Sequence, residues 1–313
     1  IMKNIGIAGI LHDKGFMEEG NKQLKQAMEV ARQKEYYTLW LEGFRHRVNY
    51  SVTGLTTDFN LLHSWNDEMQ EVMTTLTDYS QQVFNNRLTF NAYVAAPDKI
   101  DARTTKVFNE KSLLENTRKA KSAYAKYLSL NGLIFYYEKN KQRKEINHIA
   151  LQQKNVLFET LAYTNRYTGE FFVSYQNYLN SLDPRTEPDL IIEGSREMEK
   201  LAQQYLVKGK NKKVGTLAVF SATTIRLNVF IEQSNLTALK TEIVHAIRVH
   251  KQTTTILGNV HEVVLSSLIK DSFFTLGKYA EALKWIKHIK AVAPAGVMNH
   301  YKFCNLLTEL MIL

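Results

Sequence analysis

Chain breakers are scarce in this sequence. Its 313 residues hold 14 glycines and 4 prolines, about half of the roughly 12% usual for the two together. A β-sandwich or barrel needs a turn about every 8–12 residues, commonly built on glycine, proline or asparagine, and this chain cannot furnish them. Cysteine is scarcer still. The single Cys304 excludes an intrachain disulfide and lends no support to an oxidising compartment. It sits in the apolar pattern of Tyr301, Phe303, Leu306 and Leu307, which reads as a buried, inert thiol and not as a nucleophile. Neither a signal-peptide layout nor a run of 18 apolar residues is found, so the sequence reads as a soluble, cytoplasmic chain without a membrane span. Ile1 is not an initiator, and Leu310 to Leu313 stop inside an apolar helical pattern. The chain is therefore expected to be a fragment of a longer one.

What is present is apolar and helical. Hydrophobic residues make up 44% and aromatics 11%, which excludes disordered and low-complexity classes. Leu24, Ala27, Met28 and Ala31 form a stripe at helical spacing, and Ile243, Ala246, Ile247 and Val249 form another. No strand-length window sustains alternation, so helix-on-helix packing is the architecture that fits. The few breakers mark joints at Gly15 and Gly20, Lys34-Glu35, Gly54, Pro97, Asn140, Leu182 to Asp189, Lys208 to Lys213, Ser234-Asn235, Gly258, Gly277 and Pro294. A very long helix is expected from Asp58 to Ala95, with Asn85-Asn86 as a candidate break. About fourteen helices follow, arranged as stacked antiparallel hairpins in a single domain over 1–313, with a hinge near 183–189.

One stretch carries more than helical periodicity. Phe273, Gly277, Tyr279, Ala282, Ile286, Ile289 and Pro294 keep the spacing of the tetratricopeptide repeat, a helix–turn–helix of about 34 residues. The segment at about 263–296 resembles that family. Ser266 and Lys270 depart from it, standing where the family has tryptophan and a small residue. Leu11, Gly15, Met17, Gly20, Leu24 and Ala27 echo the pattern, as do Phe230, Ser234, Leu236, Leu239, Ile243 and Ala246. Tyr136, Asn140, Gln142, Ile146 and Ile149 echo it loosely, with Glu145 where the small residue belongs. The resemblance implies an all-α fold, a right-handed α-α superhelix (tetratricopeptide-like solenoid), in which the first helix of each hairpin lines a concave groove. On that pattern the groove residues are Val264, Ser267, Asp271, Phe274 and Thr275 in one repeat, and Ser221, Thr224, Asn228, Ile231 and Glu232 in the one before. An acidic Asp271 would repel a carboxylate, so a clamp for a peptide's C-terminus is not expected.

Catalytic constellations are missing. His261-Glu262 begins like a zinc-protease helix, but Leu265 stands where the second histidine belongs. His245 and His250 are five apart and face different ways on a helix. Gly215-Thr216 lacks the lysine of a phosphate loop. No metal, cofactor or enzymatic activity is expected. The leading expectation is a non-catalytic scaffold that binds a protein or peptide. The net charge of +9 motivates an alternative, a nucleic-acid or anion binder with Arg226, Arg248, Lys251, Lys284, Lys287 and Lys290 as a basic stripe. A third reading is a sensor or regulatory domain of a longer signalling or transcription protein.

Overall fold

The computed structural model describes residues 1–53, 59–95, 100–161, 167–207 and 211–293. Gly54, Pro97, Gly209, Pro294 and Cys304, to which the sequence assigns roles, lie outside the described residues. Among the described residues there are fourteen helices and no strand. The chain divides into two compact units, Ile1–Thr168 and Gly169–Leu313. The expected hinge at 183–189 lies inside the second.

Unit 1 begins with α1 (Met2–Asp13), α2 (Met17–Gln33) and α3 (Tyr37–Thr53). Their core is Ile5, Ala8, Leu24, Ala27, Met28, Ala31, Trp40 and Phe44, joined by Val72. The next helix, α4 (Phe59–Val94), runs unbroken for 36 residues. Asn85 and Asn86 do not break it; Asn86 instead accepts from the Asn131 side-chain amide at 3.0 Å. Two short helices follow, α5 (Ala102–Val107) and α6 (Glu110–Lys119). Asp101 and Asn109 cap them, accepting from the backbone N–H of Thr104 and Ser112, as short polar side chains do at helix starts. The chain then returns in α7 (Ala123–Lys139), followed by α8 (Arg143–Leu161). Helix α7 runs parallel to α4. Tyr79 stacks on Tyr124 and Tyr93 on Phe135, and Lys139 Nζ donates to the carbonyls of Ala92 and Ala95 at the end of α4. A lysine there suits the negative end of the helix dipole.

Unit 2 contains α9 (Thr168–Ser181), α10 (Pro188–Val207), α11 (Lys212–Glu232), α12 (Leu236–Leu257), α13 (Asn259–Thr275) and α14 (Tyr279–Val292). Helix α10 packs on α11, α11 on α12, α12 on α13 and α13 on α14, while α11 also touches α13. The connection before α10 is tight. Asp183 accepts from the Arg185 amide at 2.9 Å, the Glu187 amide donates to the Asp183 carbonyl at 2.8 Å, and Pro188 starts the helix where its missing N–H costs nothing. Helix α11 is buried nearly all round from Gly215 to Phe230. It is long and apolar enough to cross a membrane, and 78% of its apolar window is buried inside the protein.

Five connections share one geometry. After α1, α2, α7, α11 and α13 the chain turns in three residues, with Gly15, Glu35, Lys141, Ser234 and Gly277 at positive φ. In each, the N–H of that residue donates to the carbonyl three before it, and the next N–H reaches back five, as Gly277 to Phe274 and Lys278 to Phe273. This paired bonding satisfies two of the carbonyls a helix end leaves open. Glycine occupies the left-handed position only twice. At the other three an L-residue accepts a strain of about 1–2 kcal/mol, and at Glu35 the side chain has a use. Its carboxylate accepts from the Ala123 amide at 2.8 Å and from the Tyr167 hydroxyl at 3.0 Å, fastening the α2–α3 turn to the start of α7. The turn after α7 also corrects the sequence register. Its left-handed residue is Lys141 rather than Asn140, and so the repeat echo there is displaced by one.

Candidate functional site

In unit 1, a cavity of about 740 Å³ is bounded by α6, α7 and α8. The i, i+4, i+7 spacing of Lys126, Leu130, Leu133 and Tyr137 puts these residues on one face of α7. Leu114 of α6 and Ile149 of α8 complete an apolar floor. The rim is basic: Arg118, Lys126 and Lys144 line it, against a single carboxylate, Glu145. All three cations are exposed, and none forms an ion pair with a described residue. His148 and Gln152 are one turn apart on α8 and bonded to each other at 2.7 Å. At the deep end, the Tyr137 hydroxyl donates to Glu110 at 2.9 Å. Burial, with Glu110 beside it, pushes its pKa up to about 12, so the phenol stays protonated and is no candidate base.

The groove residues expected from the sequence lie on α11 and α13. Ser221, Thr224 and Ser267 are buried. Ser221 donates to Gln176 of α9 at 2.9 Å, and Thr224 to the Ser221 carbonyl at 2.8 Å, so protein occupies this end of the expected face. Asn228 and Glu232 are exposed, whereas Val264, Asp271, Phe274, Thr275 and Ile231 are half-buried. Glu232 pairs with Arg185 at 3.2 Å, Asp271 with Lys270 at 2.9 Å, and Phe274 packs on Tyr279. Lys270, at a position where the repeat family has a small residue, is 1% exposed. Its ammonium, buried with the rest of the side chain, pairs with the neighbouring, partly exposed Asp271.

Two buried polar clusters also lie in unit 2. In the first, Arg226 of α11 is 3% exposed and holds Glu199 of α10 at 2.6 Å and Glu242 of α12 at 2.8 Å. His245 Nε2 lies 3.0 Å from the other Glu199 oxygen. Burial pushes the Glu199 carboxyl up, but His245 and Arg226 together hold it below its ordinary value. The Glu199 carboxylate in turn raises the pKa of His245, against burial. Arg226 is thus withdrawn from the basic stripe expected on the surface. Arg248, Lys251, Lys284, Lys287 and Lys290 remain exposed.

In the second cluster, His250 of α12, Glu262 of α13 and His288 of α14 converge. Their ligand-capable atoms all lie within 4.8 Å of one another. His288 Nε2 is 3.0 Å and His250 Nε2 3.9 Å from the same Glu262 oxygen. The Ser266 hydroxyl sits 3.0 Å from His250 Nε2. Burial and the neighbouring His288 hold the His250 pKa below its ordinary value, with Glu262 opposing. Sequence reading considered His250 and Glu262 separately, each within its own helix. One residue from each of three helices leaves no local spacing to read, and only the hairpin packing brings them together. His261, the neighbour that drew attention in the sequence, points elsewhere, with its ring edge on Phe220 at 5.2 Å.

No family model matches this chain, and neither a curated protein nor a solved structure matches it.

Proposed function

We propose that this chain is a non-catalytic binding scaffold whose hairpins are tetratricopeptide-like repeats, stacked within each unit as turns of a right-handed superhelix. The α6–α8 groove of unit 1 takes an acidic, amphipathic segment of a protein partner. One observation carries this reading: three exposed cations, none paired with a described residue, ring an apolar floor. Apolar side chains of a partner helix or extended peptide fill the floor, and its carboxylates meet Arg118, Lys126 and Lys144. The repeat reading is supported by the five alike turns and by the positions around them. Nine residues after the left-handed residue stand Leu24, Phe44, Ala150, Ile243 and Ile286, all buried. The exposed and half-exposed members of the expected concave set, Asn228, Ile231, Glu232, Val264, Asp271, Phe274 and Thr275, are a second contact surface.

A pull-down from cell extract with the full chain, run with and without nuclease, tests the class of partner. Protein partners that survive nuclease, and that are lost from a Lys126→Glu/Lys144→Glu double variant, support the reading. Loss of every partner on nuclease treatment transfers it to nucleic acid, bound through the basic residues of α12 and α14.

A further inference from the structure

We propose that His250, Glu262 and His288 form a binding site for a divalent transition metal of the zinc class, with one ligand from each of α12, α13 and α14. The argument begins with charge. The Glu262 side chain is 6% exposed, and among the described residues no lysine or arginine forms an ion pair with it, whereas two imidazoles do. A carboxylate withdrawn from water without a permanent cation is costly. The first turn of α13 offsets part of that cost through the helix dipole, and a bound cation supplies the rest.

The donor set fits such an ion. Two imidazoles and a carboxylate suit zinc, cobalt and nickel, whereas calcium and magnesium prefer oxygen cages. Ligand atoms about 2.0–2.2 Å from a tetrahedral zinc stand about 3.3 Å from one another. The Glu262 oxygen already lies at 3.0 and 3.9 Å from the two ring nitrogens, and all three ligand atoms lie within 4.8 Å of one another, so side-chain adjustment alone can draw them around an ion. A metal must also displace the Ser266 hydroxyl from His250 Nε2.

The surroundings hold the rings in place. Trp285 packs edge-on against both His250 and His288, with centroids at 5.1 and 5.6 Å. His288 reaches solvent, its side chain 36% exposed. That gives the ion an entry path and leaves the fourth position to water, as in three-ligand zinc sites. This inference is independent of the α6–α8 groove, which lies in the other unit.

The test is titration of the metal-stripped full chain with Zn²⁺ by calorimetry, and with Co²⁺ by visible spectroscopy. The expected result is one equivalent of Zn²⁺ and a Co²⁺ spectrum of low-coordinate nitrogen and oxygen ligation. In His288→Ala and Glu262→Gln the affinity should fall by more than the roughly 10–100-fold that loss of an outer-shell partner costs. His245→Ala, in the arginine-closed cluster, should bind as the parent does. Glu262→Gln removes a buried group, so each variant is first checked for its helical circular dichroism. His288→Ala, at the solvent edge, carries the test if the other fails to fold. Absence of stoichiometric uptake by the parent, or parent-like affinity in a folded His288→Ala, would overturn the site and leave the cluster as hydrogen-bonded bracing.

Discussion

In unit 1, Arg118, Lys126 and Lys144 stand in solvent around an apolar floor, whereas in unit 2 Arg226 is sunk between Glu199 and Glu242 with its charge spent inside the protein. The same residue type serves opposite ends. An exposed cation keeps its hydration and is worth little to stability, so it remains available to a partner. A buried one must be matched by carboxylates, and once matched it fixes how α10, α11 and α12 sit together. The net charge of +9 therefore does not describe one surface property of this chain. Within unit 2 the comparison sharpens again. The Arg226 cluster carries its own permanent cation, while the Glu262 cluster holds only imidazoles beside its carboxylate.

Four perturbations test that contrast. The largest is Arg226→Ala, which takes the arginine from two mostly buried carboxylates and leaves Glu199 with His245 alone. Urea denaturation should show a loss of about 3–5 kcal/mol; a loss under about 1 kcal/mol would mean the cluster is hydrated and not structural. Next come the turns shared by both units. Gly277→Ala and Gly15→Ala meet no steric contact, so each should cost only the left-handed backbone strain, about 1–2 kcal/mol. Ser234→Gly should be neutral to stabilising by up to about 1 kcal/mol, since relief of strain is offset by unfolded-state entropy. A clear loss on Ser234→Gly would contradict the shared turn geometry.

The third concerns pH. His245 has a raised pKa through Glu199, so the folded state binds its proton more tightly than the unfolded one. Its stabilisation is fully present below the unfolded value of about 6.5 and is lost as pH rises through the folded pKa. The melting-temperature gap between parent and His245→Gln should thus be widest in mild acid and close above neutrality. A gap that widens toward alkaline pH contradicts the assignment. The smallest effect is on unit 1. Lys126→Glu and Lys144→Glu should change stability by no more than about 0.5 kcal/mol, because both side chains are exposed and neither forms an ion pair with a described residue.

Much of the fold was legible because helical periodicity and the rarity of breakers are both local signals. The joints at Gly15, Lys34-Glu35, Ser234-Asn235, Gly258 and Gly277 fall where the helices end. Other features depend on partners far along the chain. Lys141 takes the left-handed position next to Asn140, the residue that sequence preference favours. Gly20, read as a breaker, lies inside α2. The break between α5 and α6 is set by Asn109 acting as a cap, with no glycine or proline to announce it. Ser221 and Thr224 were assigned to an open face that Gln176 of α9 covers in part. Neither the α6–α8 cavity nor the His250–Glu262–His288 cluster could be read locally, because each is assembled from three helices, the cluster from one residue of each.

Recognition by the exposed basic rim of unit 1, as proposed, is separable from the effect of the net charge of the chain as a whole. An array of acidic, amphipathic peptides and charge-matched peptides without apolar residues tests it most directly. It is probed with the parent chain, with Arg118→Glu/Lys126→Glu/Lys144→Glu, and with Arg248→Glu/Lys251→Glu/Lys287→Glu. Binding to the amphipathic set alone is expected, lost in the first triple variant and kept in the second. Equal binding of both peptide sets, or loss only in the second variant, would contradict it.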